Sequence, residues 1–204
     1  MSKEYPSLTA PPSCPSVLHH QRLNQLTAFV RTSEQILDTW DTYSDQHTDP
    51  DGWPHDEDPY GHRAARRDAE TWEAAAQIRP FARDLLSTAA VQLQHLPART
   101  IQPAWPWHLT AADDALDQLD AVEADWSTHL DSLPPGAGPG TAAYDNLVDA
   151  RNAEAWHALN ELTLHTQAIL AIHAAAQAAP PRLDAVAPRP TPTTSTSPAA
   201  VARR

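Results

Sequence analysis

The chain has 204 residues, among them 20 prolines, five glycines and one cysteine, and a formal charge of −12. That length suits one domain, and the lone Cys14 excludes a disulfide framework or a thiolate-rich zinc site. The acidic balance repels phosphates, so no direct nucleic-acid binding is expected; the same field suits a basic protein partner, or keeps the chain in solution.

Arginine outnumbers lysine 13 to 1, and alanine, aspartate and proline crowd out asparagine and isoleucine, the codon bias of a GC-rich bacterial genome. The start, MSKEYPSLTAPPSCPS, has no apolar leader, and no apolar run reaches the roughly 18 residues of a membrane span. The expectation is a reduced, cytoplasmic protein without a membrane partner.

Residues 1–15 are rich in proline and serine and poor in large apolar groups, and are expected to be disordered. A first helical segment follows, from about Ser16 to Thr48. Leu23, Leu26, Phe29, Val30, Ile36, Leu37, Trp40 and Tyr43 recur at steps of three and four, one face of a helix. Ser33, Ser44 and His47 continue that stripe with polar groups. The next stretch, DPDGWPHDEDPYG (49–61), reads as a connection that places Trp53 and Tyr60 among acids. Arg63, Arg66 and Arg67 come directly after it and are expected to pair with it.

A second segment, about His62 to Leu96, aligns Trp72, Ala75, Ile78, Ala82, Leu85, Ala89, Leu93 and Leu96. Pro80 interrupts it, removing a backbone donor and crowding the preceding turn, so a kink or restart is expected and the helix count rises from four to five. IQPAWPWHL (101–109) reads as another connection, carrying Trp105 and Trp107. Such Trp residues either fold back as lids on the helix ends or stay exposed for a partner.

The third segment is expected to begin at Thr110, with Asp113 completing a capping-box pattern, and aligns Leu116, Leu119, Val122, Trp126, Leu130 and Leu133. The fourth follows Gly140, with Thr141 as N-cap, and aligns Val148, Ala155, Leu159, Leu162, Ile169 and Ile172 up to the stop at Pro180-Pro181. Residues 180–204 are Pro/Thr/Ser-rich and expected to be disordered. Nothing reads as a strand. The fold class is therefore all-α: an elongated up-and-down bundle of about four long helices over 16–179, flanked by disordered tails. Each segment carries one tryptophan on or near its apolar face (Trp40, Trp72, Trp126, Trp156), expected to pack in the core.

Eleven histidines are the strongest hint of metal or pH chemistry. In an up-and-down bundle His19, His20, His95, His108 and His173 gather near one end, and His47, His55, His62 and His129 near the other. The fourth segment has one Glu154-x-x-His157, continued by Glu161 and His165. Di-iron bundles use that pattern twice, with further inward carboxylates. A helical wheel places these four residues roughly 110° from the apolar face, on the flank or outside. They are weak metal candidates, and no cofactor is expected. Glu34, Asp38, Asp41 and Asp45, and again Asp113, Asp117 and Asp120, form acidic stripes that read as solvated faces. Docking to a basic partner and mimicry of a DNA backbone are the alternatives.

No phosphate loop, dinucleotide fingerprint, nucleophile elbow or triad is present. The reading is a non-enzymatic helical interaction or regulatory protein with Trp53, Tyr60, Trp105 and Trp107 as partner-binding candidates. A metal-dependent bundle enzyme is the alternative and an acidic DNA mimic the second. The small Ala-rich faces also leave room for a homodimer.

Overall fold

The computed structural model describes residues 15–179; Cys14 and both terminal tails lie outside the described residues. It is all-helical: α1 (Pro15–His47), α2 (Glu57–Ala76), α3 (Arg79–His95), a single 3-10 turn (Ala98–Thr100), α4 (Trp105–Asp131) and α5 (Ala142–Ala178). Cross-helix contacts define the directions. Arg22 meets Asp84 and Ser44 meets Tyr60, so α1 runs antiparallel to α2 and α3. Arg79 meets Glu123 while Arg83 meets Asp113, so α3 runs antiparallel to α4. His108 meets His165 and Arg151 lies over Trp126, so α4 runs antiparallel to α5. The result is an up-and-down bundle in which α2 and α3 form one interrupted rod and α5 packs against all four other helices.

The interruption falls at Gln77–Ile78, and Pro80 sits in the first turn of α3, where its missing N–H is not needed. The amides of Ile78 and Phe81 bond three residues back, to Ala75 and Ile78. Ile78 itself is fully buried, so the break is anchored in the core.

Two helix starts differ from expectation. α4 begins at Trp105, not Thr110, because Pro106 fits the first turn and supplies φ in advance. Thr110 caps nothing; its hydroxyl donates to the Pro106 carbonyl inside the helix. α2 begins at Glu57, capped by Asp56, whose carboxylate accepts from the Asp58 amide. Thr141 does hold the N-cap position of α5, but its hydroxyl bonds back to Gly138 rather than forward into the helix.

The apolar core is confined to one part of the bundle. Leu23, Leu26, Phe29 and Val30 of α1 close on Leu85 and Ala89 of α3, Leu116 and Leu119 of α4, and Leu159, Leu162 and Ile172 of α5. Thr163, His165 and Thr166 of α5 are buried between Leu162 and Ile169, and towards the other end the buried polar side chains are Ser33, Asp68, Thr71 and Asn152. There the expected core tryptophans are only half-buried. They clamp arginines instead.

Candidate functional site

At the polar end, α1 passes into α2 through a short hairpin. Asp49 N–H donates to the Trp53 carbonyl, Gly52 N–H to the Asp49 carbonyl, and His55 N–H to the His47 carbonyl. Thr48 and Pro54 form an antiparallel bridge. Gly52 takes φ +86°, the left-handed position that a three-residue hairpin loop requires. The Asp49 carboxylate accepts from the amides of both Asp51 and Trp53, an Asx turn that fixes the loop from inside. On this braced loop the Trp53 side chain is 70% exposed.

Beneath it lies a mat of rings. Tyr60 meets Trp40 edge-on at 5.1 Å, Tyr43 stacks on His47 at 3.9 Å, and the Tyr60 hydroxyl is 2.9 Å from that of Ser44. Ser44 and His47, which extend the α1 stripe, thus find partners within the chain. Tyr60 is half-buried and belongs to the base of the hairpin rather than to its tip.

The expected pairing of the arginines with this loop does not occur. Arg66 pairs with Glu70 one turn on, Arg67 with Asp68, and Arg63 lies over the Tyr43 ring. These three arginines are taken up by partners on α2 itself and by the Tyr43 ring of α1. Among the described residues no Arg or Lys lies within 4 Å of Asp49, Asp51, Asp56, Glu57 or Asp58. Their charge stays available at the surface.

Behind the hairpin two arginines sit between pairs of indoles. Arg67 lies 4.2 Å from the Trp40 centroid and 3.7 Å from that of Trp156. Arg151 lies 4.2 Å from Trp72 and 4.9 Å from Trp126. These are close cation–π contacts in partly desolvated surroundings. The first cation has a buried counter-charge, with Arg67 Nη2 2.6 Å from Asp68. Burial raises the Asp68 pKa above its ordinary value, and the Arg67 contact only partly offsets this. Burial likewise lowers the Arg151 pKa.

Trp105 and Trp107 are not in a loop but in the first turn of α4, and they separate. Trp105 is 5% exposed and part of the core, so it is not a partner-binding residue. Trp107 is 60% exposed and leans on the rings of His108 and His165.

The histidines gather in part as expected. The rings of His19 and His20 lie 5.1 and 5.9 Å from that of His173, and Gln92 Nε2 is 3.2 Å from His173 Nδ1. Burial pushes the pKa values of His19 and His173 down, helped by repulsion from His20 and Arg22 on His19 and from His19 and His20 on His173. His108 meets His165 instead, Nδ1 to Nδ1 at 2.9 Å, and His165 Nε2 is 3.0 Å from Glu161. A neutral His165 that donates from Nε2 to Glu161 accepts at Nδ1 from His108. Of the metal candidates, Glu154 and His157 are exposed as the wheel placed them. His165 is not on the outside: it is 1% exposed. α5 is the central helix, covered over more than one stripe, so a single apolar face misjudges it. Among the described residues no three His, Cys, Asp or Glu side chains are arranged to hold a metal ion.

The second acidic stripe is exposed, as expected of a solvated face, and it also forms ion pairs across to α3. Asp113, Asp117 and Asp120 all reach Arg83, at 2.9, 2.7 and 2.8 Å, and staple α4 to α3. In α1, Glu34 accepts from Gln167 of α5.

Comparison with known protein families, with curated proteins and with solved structures finds no match to this chain. No helix of the described residues is long and apolar enough to cross a membrane.

Proposed function

We propose that the protein is a non-enzymatic helical interaction protein whose working end is the Asp49–Tyr60 hairpin. Trp53 is the anchor, and Asp51, Asp56, Glu57 and Asp58 draw a basic partner around it. The observation that carries this reading is an indole 70% exposed on a loop held in place by its own hydrogen bonds. A large rigid side chain presented in advance loses little entropy on binding, which is why tryptophan recurs among the residues that dominate interfaces. The uncompensated carboxylates supply steering and a basic-partner preference.

DNA mimicry fits less well, because Asp113, Asp117 and Asp120 are committed to Arg83 rather than free to imitate phosphates. Cross-linking pull-downs from the native lysate with the wild-type chain, Trp53→Ala and Trp107→Ala test the proposal. A basic protein is expected to be recovered with the wild type and with Trp107→Ala, lost with Trp53→Ala, and weakened by added salt. Recovery unchanged by Trp53→Ala overturns it.

A further inference from the structure

The second arginine sandwich differs from the first in one respect. Arg67 has the buried Asp68 carboxylate as counter-charge, whereas no carboxylate among the described residues lies within 4 Å of Arg151. Its Nε and Nη2 both donate to a neutral acceptor, Oδ1 of Asn152, at 3.2 and 2.7 Å. Nη1 makes no hydrogen bond among the described residues. A second donor on the same wall is also unmatched: the buried Nε1 of Trp126 has no acceptor. Buried donors in native proteins are almost always paired, so the buried Trp126 Nε1 calls for an acceptor, and Arg151 Nη1, which is not buried, adds an open donor to the same wall.

Both side chains line an open groove of about 470 Å³ between α4 and α5. Its walls are otherwise mostly apolar, with Ala121, Val122, Leu147 and Ala150. A volume of this order, apolar walls and a few convergent donors are the ordinary make-up of a small-molecule site. The rim constrains the ligand's charge. Asp125 Oδ2 is 3.2 Å from His129 Nδ1, which also meets the Asp125 carbonyl at 2.9 Å, Glu154 is exposed, and the Glu123 charge acts on Arg151 as well, so the surroundings are acidic. Arg151 is the one arginine in the lining and can answer a single negative charge; a second would find Asp125 and Glu154.

We propose that the α4–α5 groove binds a small monocarboxylic acid, its carboxylate accepting from Arg151 and its apolar body lying against Val122 and Leu147. The site is independent of the Trp53 hairpin, which lies on the α1–α2 connection. A guanidinium already held flat between two rings presents its donors in fixed directions, which suits a planar carboxylate.

Isothermal calorimetry with 3-phenylpropionate, octanoate and indole-3-acetate tests the proposal, with 3-phenylpropanamide and succinate as controls. At least one of the three acids is expected to bind saturably at one site. The amide, which lacks the charge, and succinate, which doubles it, are expected to bind at least about tenfold more weakly. Arg151→Met is expected to lose at least about tenfold in affinity. Because that change also empties the space between two indoles, Ala150→Leu provides the second variant. It fills the groove from an exposed wall position, keeps the sandwich, and is expected to abolish binding with the helical circular dichroism unchanged. Absence of saturation by all three acids overturns the proposal, as does equal binding of 3-phenylpropionate and its amide, or wild-type affinity in Ala150→Leu.

Discussion

The two ends of this bundle are held together by different physics. At one end, leucine, isoleucine and alanine from α1, α3, α4 and α5 exclude water, and Leu159, Leu162 and Ile172 are fully buried. At the other, Asp68, Thr71 and Asn152 occupy the interior, and two arginines are gripped between four half-buried indoles. An apolar core is non-directional and tolerates approximate fit. A cation held between rings is directional, partly wet and sensitive to what neutralises it. The proposed partner hairpin and the proposed ligand groove both belong to the second kind of end, while the first serves as the rigid base that positions them.

The sharpest way to break this comparison is one truncation at each end. Leu159→Ala removes a fully buried side chain and is expected to cost about 4 kcal/mol, read as a lower midpoint in urea or heat. At the polar end, Arg67→Met leaves the Asp68 carboxylate buried without counter-charge and is expected to cost about 3 kcal/mol at neutral pH. The two variants should then part with pH. Asp68 has a folded pKa above its ordinary value, so the folded state binds its proton more tightly than the unfolded chain does. Its burial cost is fully present at neutral pH and is relieved as pH falls through the folded pKa. Arg67→Met should regain part of its loss in mildly acidic buffer relative to wild type, and Leu159→Ala should not.

A smaller effect separates the ends in the opposite direction. His19 and His173, at the apolar end beside His20, Arg22 and Gln92, have lowered pKa values. Here the unfolded chain binds protons more tightly, so this contribution to stability is present above the unfolded pKa near 6.5 and is lost as pH falls through that value. Melting midpoints between pH 7.5 and 5.5 are expected to fall more steeply in the wild type than in His173→Gln. Parallel slopes would show that the histidine cluster does not set this dependence.

Much of the scaffold was legible in the chain. The three-four spacing of Leu23, Leu26 and Phe29, or of Leu159, Leu162 and Ile169, depends only on helical repeat and burial, and both sets lie in the core. Proline and glycine marked the interruption before Pro80 and the connections for the same local reason. What failed were readings that needed a partner from another helix. Trp107 is a local exception: the prolines make 101–109 read as a connection, although the first turn of a helix accepts proline. Asp113, Asp117 and Asp120 are exposed as expected, but their shared partner Arg83 was not legible, because it faces them only after α3 and α4 pack.

The sequence by itself determined that this protein is a set of long amphipathic helices, because helical periodicity is a property of neighbours in the chain. Only the tertiary structure decided which charges are answered. Arg67 and Arg151 are equivalent in composition and both lie between indoles, yet one has Asp68 beside it and the other has a neutral amide and an open groove. Electrostatic and cation–π energies depend on distances of a few ångströms between residues far apart in the chain, and those distances exist only after the helices have packed.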